Sequence, residues 1–168
     1  MFNGKYFKQT DGVSMGSPLG PILANIFLCH HEEIWLKNCP KQFKPEYYVR
    51  YVDDIFTLFS SQEQIKKFEK YIGSRHKKMR FSCDIEMDKK LSFLDVLIHR
   101  EETFETSVYR KPTFSGLYTN FSSYIDIRYK KGLLLSLLFR TFTICSNWII
   151  IHEEILNLKN IWIKNEYP

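Results

Sequence analysis

No two cysteines of this chain stand at the close spacing of a redox or metal motif, since Cys29, Cys39, Cys83 and Cys145 are widely scattered with no signal-peptide pattern ahead of them. That excludes a disulfide framework and leaves reduced, buried thiols in an intracellular setting as the expectation. His30, His31 and Glu32 lie beside Cys29, but no second ligand cluster follows at finger-like spacing, so zinc is not expected. An unbroken apolar run is missing too. The nearest candidate, Leu133 to Ile151, is interrupted by Arg140, Thr141, Thr143, Ser146 and Asn147. A spanning helix wants about 20 mainly apolar residues, and a central Arg costs roughly 2.5 to 3.5 kcal/mol on insertion scales. The run is therefore expected to be a helix buried against other protein, with no membrane partner.

The composition is not that of a disordered chain. With 44% hydrophobic residues and 14 Phe, 10 Tyr and 3 Trp in 168 residues, the chain can bury one core, or a core and a small appended lobe. The net charge of +5 favours a polyanionic partner without demanding one. Positive charge is concentrated between Lys66 and Arg80, where Lys67, Lys70, Arg75, Lys77 and Lys78 intervene against Glu69 alone. Such a run reads equally as a solvated helix face.

Along the chain, Ser17-Pro18 predicts a helix entry, with Ser as cap and Pro in the first turn. Ile22, Leu23, Ile26, Phe27, Ile34 and Trp35 then recur at helical spacing and predict one buried face lasting to about Lys37, before Cys39-Pro40 stops it. Tyr47 to Phe59 is rich in β-branched and aromatic residues and predicts a hairpin with Asp53 and Asp54 at its tip. Ser60 and Ser61 can cap a second helix over about Gln62 to Ile72 that turns Ile65, Phe68 and Tyr71 or Ile72 inward. Three further strands are expected near Arg80 to Glu86, Leu91 to His99 and Phe104 to Tyr109. A loop-rich stretch follows Pro112, and two helices are expected from Arg128 through about Cys145 and from Ser146 through Lys164. The whole predicts an α+β fold, an antiparallel sheet with helices followed by a helical lobe, divided as residues 1–113, a linker 114–127, and 128–168.

Two segments carry chemistry. Adjacent carboxylates at the tip of an apolar hairpin repel unless a cation faces them. Mg²⁺ is held by one or two carboxylates plus substrate phosphates, and paired ions stabilise the attacking and leaving oxygens in phosphoryl transfer. A plain surface turn, in which Asp tolerates the geometry, explains Asp53 and Asp54 as well. The second segment, Gly12-Val13-Ser14-Met15-Gly16 followed by Ser17-Pro18-Leu19-Gly20-Pro21, could bring bare backbone and a helix start up to a planar or phosphate-bearing ligand. It could equally be a helix entry with glycines at packing positions.

The glycine-rich segment and Tyr51-Val52-Asp53-Asp54 arrive in the order and spacing of two successive reverse-transcriptase motifs. With Met15-Gly16, the fuller string Arg50 to Phe56, Lys90-Leu91-Ser92-Phe93-Leu94-Asp95 and Tyr109-Arg110-Lys111-Pro112-Thr113, the sequence resembles the reverse transcriptases of Penelope-like retroelements, relatives of telomerase. That resemblance implies a partial polymerase palm in residues 1–113 and a thumb-like lobe in 128–168. It puts the catalytic, metal-binding aspartate at Asp53, with Asp54 as its less directly ligating neighbour, for Mg²⁺ or alternatively Mn²⁺. Gly12, Val13, Ser14, Met15 and Gly16 would line the nucleotide and template side. Arg80 falls at the family's basic residue after the second helix and, as a poor acid, would stabilise charge. Arg80, Arg110 and Lys111 would contact the nucleic-acid backbone.

The implied partners are an RNA template, a DNA primer and dNTPs, and nuclear action would follow from the family. A further aspartate motif and the fingers are expected to precede residue 1. Asp11 lies inside the glycine motif, in the wrong context to replace that aspartate, and Asp126 stands where the family usually has Pro. The chain alone is therefore expected to be inactive or very weak, unless an intact element-encoded polypeptide supplies the missing motifs. The alternative reading is a non-catalytic nucleic-acid-binding module.

Overall fold

A computed structural model describes residues 3–14 and 16–168. Its described residues form an α+β fold of four α-helices and two small antiparallel sheets. They divide into two compact units, Met1–Cys83 and Asp84–Pro168.

The first unit opens with α1 (Gly20–Lys37), which begins later than Ser17-Pro18 predicts and is capped by Leu19 without a side-chain bond. Short-range backbone bonds come before it instead, the Ser17 amide donating to the Ser14 carbonyl at 3.2 Å and the Gly20 amide to the Ser17 carbonyl at 3.0 Å. A Cβ at Gly20 would meet the Ser14 oxygen at 3.1 Å, so a bare residue lets the helix start this close to the segment before it. A 3₁₀ turn (Lys41–Phe43) leads to β1 (Tyr47–Tyr51) and β2 (Asp54–Leu58), paired antiparallel from Tyr47 opposite Leu58 to Tyr51 opposite Asp54. Then α2 (Gln62–Gly73) starts where Ser61, in extended backbone, accepts from the Gln64 amide, as its sequence predicts.

Phe68 and Ile72 of α2 pack on Trp35 and Cys39, with Phe43, Phe59, Met79 and Phe81 around them. The Tyr71 hydroxyl donates to the Trp35 carbonyl at 2.8 Å, fastening α2 to α1. The apolar face of α1 is a correction to the sequence reading. Trp35 is buried, but Ile22, Leu23, Ile26, Phe27 and Ile34 remain exposed, because the packing elements reach only the C-terminal part of the helix.

What α1 buries instead is a charge. Glu32 receives the Arg50 Nε at 2.7 and 2.9 Å and the Tyr48 hydroxyl at 2.6 Å, with the two charged side chains 11% and 7% exposed. Strand alternation puts Tyr48 and Arg50 on the same face of β1, and helical spacing puts Asn25, Cys29 and Glu32 on one face of α1. Asn25 and Cys29 accept from the outer guanidinium nitrogen at 3.0 and 3.3 Å. Burial and the neighbouring carboxylate push the Tyr48 phenol well above its ordinary range.

In the second unit β3 (Lys90–Phe93), β4 (Val96–Arg100) and β5 (Phe104–Val108) form a sheet in that order. Two strand expectations need correction. Residues 80–86 belong to neither sheet among the described residues, where β3 pairs with β4 alone. Leu91 to His99 is not one strand but a hairpin, turned at Leu94, whose φ is +55°, and Asp95. Helices α3 (Ile127–Ile144) and α4 (Trp148–Lys164) follow, close to their expected bounds. Asp126 caps α3 through the Arg128 amide at 2.8 Å, and Asn147 caps α4 through the Ile150 amide at 2.9 Å. No helix among the described residues is long and apolar enough to cross a membrane.

Leu137, Leu158 and Ile161 form the helical core, with Tyr118, Leu133, Leu138 and Trp162 against it. The stretch before α3 is tied down. Asn165 holds the Gly116 carbonyl and the Tyr118 amide, both at 2.8 Å, and the buried Lys130 ammonium donates to the carbonyls of Phe121 and Ser123. Helices and sheet are joined as well, with Thr106 bonded to the Ile144 carbonyl and the Ser146 hydroxyl, and Asn147 to Glu105 at 3.0 Å.

Two expectations follow. Leu158, 1% exposed, is expected to lose about 2 to 5 kcal/mol of unfolding free energy on Leu158→Ala, against less than about 0.5 kcal/mol for the half-exposed Leu156→Ala, measured by denaturant unfolding. Glu32→Ala leaves Arg50 buried without its carboxylate and is expected to destabilise the first unit by about 3 to 5 kcal/mol, whereas the paired replacement Glu32→Leu with Arg50→Met recovers most of the loss.

Candidate active site and nucleic-acid interface

The loop joining β1 to β2 has two residues, Val52 and Asp53, as the pairing of Tyr51 with Asp54 requires. Val52 has φ +56°, a conformation that hairpins usually give to glycine, asparagine or aspartate and that a β-branched residue adopts under strain of about 1 to 3 kcal/mol. Arg50 holds the turn in that shape, donating from Nη1 to the Val52 carbonyl at 2.7 Å while its Nε is anchored on Glu32. One buried guanidinium thus connects the body of α1 to the residue just before Asp53.

Asp53 and Asp54 are both exposed, and neither carboxylate makes a hydrogen bond or ion pair among the described residues. Asp53 stands in the turn and Asp54 is the first residue of β2. Two unpaired carboxylates at a rigid tip are a donor set for one hard divalent ion held together with phosphate and water. No third acid, histidine or cysteine joins them among the described residues.

Gly12 and Gly16 both take positive φ, +76° and +84°, so each stands where a side chain would be strained. Val13 and Ser14 between them are exposed, and Met15 lies outside the described residues. No hydrogen bond links this segment to the hairpin tip among the described residues. Asp11 is occupied elsewhere: its carboxylate pairs with Lys78 and accepts the Gly12 amide at 3.0 Å, and Lys78 holds it below the usual carboxylate range. His31 stacks on Trp35 at 5.3 Å and lies 5.5 Å from His76, so it serves as an aromatic packing group on α1.

Arg80, in the first unit, is exposed and makes no ion pair among the described residues. In the second unit Lys111 is likewise free, but Arg110 is bound through both terminal nitrogens to Glu154 of α4, with the pair 17% and 10% exposed. That contact raises the pKa of Arg110 further. Sequence reasoning did not find Glu32, Tyr48 or Glu154. The signal for Glu32 was its place one and two turns beyond Cys29 and Asn25 on a single face of α1, and Glu154 carried no local signal because its partner lies far away along the chain.

Residues 1–105 of the 168 match the family Reverse transcriptase (RNA-dependent DNA polymerase), and residues 117–168 match the Animal helix-turn-helix domain. No curated protein and no solved structure matches the chain. The first match spans the larger part of the chain and contains the glycine segment, α1 and the complete aspartate hairpin, and on that ground the chain belongs to the reverse transcriptase family.

Proposed function

We propose that the hairpin tip is the metal-binding centre of an RNA-directed DNA polymerase of the Penelope-like type, in which a primer 3′-hydroxyl attacks the α-phosphate of a dNTP. The observation that carries this reading is the Asp53-Asp54 pair, exposed and unpaired on a turn that a buried arginine holds in a strained shape, within the stretch that matches the family. The strings Arg50 to Phe56 and Tyr109 to Thr113 support the subtype. Asp53 would hold Mg²⁺, or Mn²⁺, with Asp54 as the outer carboxylate, and the bound ion would neutralise phosphate charge and stabilise the oxygens that exchange. Glu32 and Arg50 keep the tip in place so that the carboxylates need little rearrangement.

Gly12, Val13, Ser14, Met15 and Gly16 would line the nucleotide and template side. Arg80 and Lys111 would contact backbone phosphates as free cations, and Arg110, already charge-balanced by Glu154, would orient that region. In this reading residues 1–113 are palm and 128–168 a thumb-like lobe joined through 114–127. An acceptor for two ions needs more than two carboxylates, and none joins Asp53 and Asp54 among the described residues, so the chain alone extends a primer weakly or not at all.

A second reading, a non-catalytic nucleic-acid-binding module, is favoured by the helix-turn-helix match over 117–168, whose two helices are α3 and α4 joined at residues 145–147. Two measurements separate the readings. Water-proton relaxation with Mn²⁺ is expected to report an ion whose binding drops at least tenfold in Asp53→Asn, and unchanged binding in that variant would remove Asp53 from the metal site. Primer extension on an RNA template is expected from neither the chain nor Asp53→Ala; extension by the chain that Asp53→Ala abolishes would show that the site is complete.

A further inference from the structure

The second unit contains a cleft of about 370 Å³ that the metal site does not use, lined in part by residues of the helix-turn-helix match. It lies where the β3–β4 turn, the segment after β5 and the C-terminal part of α3 meet. Its walls combine cations with rings: Arg110, Lys111 and Arg140, and Tyr109, Phe114 and Tyr118. A volume of this size is at the small end of ligand sites and suits one nucleotide.

The two kinds of wall fit two parts of one ligand. Phe114 carries the Arg110 guanidinium 5.6 Å from its ring centre and the Tyr118 ring 5.8 Å away at 59°, which makes an aromatic surface backed by charge. Surfaces of this kind take a nucleobase regardless of its identity. On the cationic side Lys111 has no partner among the described residues. Arg140 is only partly satisfied among the described residues: its Nη2 lies 3.2 Å from Asp95 and 3.4 Å from the Tyr109 carbonyl, while its buried Nε has no hydrogen-bond partner there. The terminal nitrogen, held by one exposed carboxylate and one long bond to a carbonyl, is the part of Arg140 that a phosphate oxygen can take. The one acid on the wall, Asp95, is 72% exposed, and an ion pair so open to water is readily exchanged for a phosphate.

We propose that this cleft holds one unpaired nucleotide of a nucleic-acid strand, its base against Phe114 and Tyr118 and its phosphate on Lys111 and Arg140. The inference deepens the nucleic-acid reading given above and rests on it, but it uses none of the chemistry of Asp53 and Asp54.

The test is fluorescence anisotropy of the full chain at low salt with a labelled single strand, an abasic strand of the same length, and a labelled mononucleotide. The intact strand is expected to bind about tenfold tighter than the abasic one. Phe114→Leu removes most of that difference without changing the abasic affinity, and Phe114→Tyr preserves it. Arg140→Gln weakens both strands, and Asp95→Asn tightens both by about two- to fivefold. Equal affinity for intact and abasic strands, or a difference that survives Phe114→Leu, overturns the base pocket while leaving backbone binding intact. A mononucleotide that binds as tightly as the strand overturns the assignment to a strand. Binding of neither strand by chain whose circular dichroism shows it folded overturns this inference together with the nucleic-acid reading.

Discussion

A guanidinium and a carboxylate taken out of water each lose several kcal/mol of hydration, and only close, well-directed pairing repays it. Glu32 and Arg50 meet that condition with two bonds between them and further bonds from Tyr48, Asn25, Cys29 and the Val52 carbonyl. The first unit depends on this arrangement because the sheet β1–β2 has only two strands, and a two-stranded hairpin is marginal in water without something to pack against. Phe59 and Tyr48 supply part of that packing from the apolar side. The ionic cluster supplies the direction, since Glu32 of α1 takes bonds from both Tyr48 and Arg50 on one face of β1.

The same cluster explains how a β-branched residue can sit at positive φ. Strain at Val52 persists only if surrounding contacts over-determine the turn, and the bond from Arg50 does so from within the hairpin while Glu32 fixes Arg50 from outside it. The carboxylates beside that turn are left without partners of their own.

Local chemistry made much of the fold legible in the sequence. Ser61, the inward Phe68 and Ile72, and the run of β-branched and aromatic residues around Asp53-Asp54 placed α2 and the hairpin, because each depends on neighbours within one turn or one strand. The failures arose where a distant partner decides. Residues 80–86 alternate like a strand but lie outside both sheets among the described residues, and Ile22 to Phe27 repeat like a buried face but are left uncovered. At Ser17-Pro18 the expected helix start gave way to turns that only Gly20 makes room for. For the candidate site, motif order located the aspartates, while Glu32, Tyr48, Glu154 and Arg140 became visible only once residues far apart in sequence met.

The second unit runs unbroken from Asp84 to Pro168, yet the family matches divide inside it, one ending at residue 105 and the other starting at 117. Inheritance and folding therefore draw their lines in different places. Glu105, Thr106 and Arg110 are bonded to Asn147, Ser146 and Glu154 across that division. A recombination event that replaced everything after residue 117 with an unrelated helical pair would strand Arg110 without its carboxylate and leave the edge of β5 without its helical cover. The two matched stretches share one set of contacts, and each constrains which substitutions the other can accept.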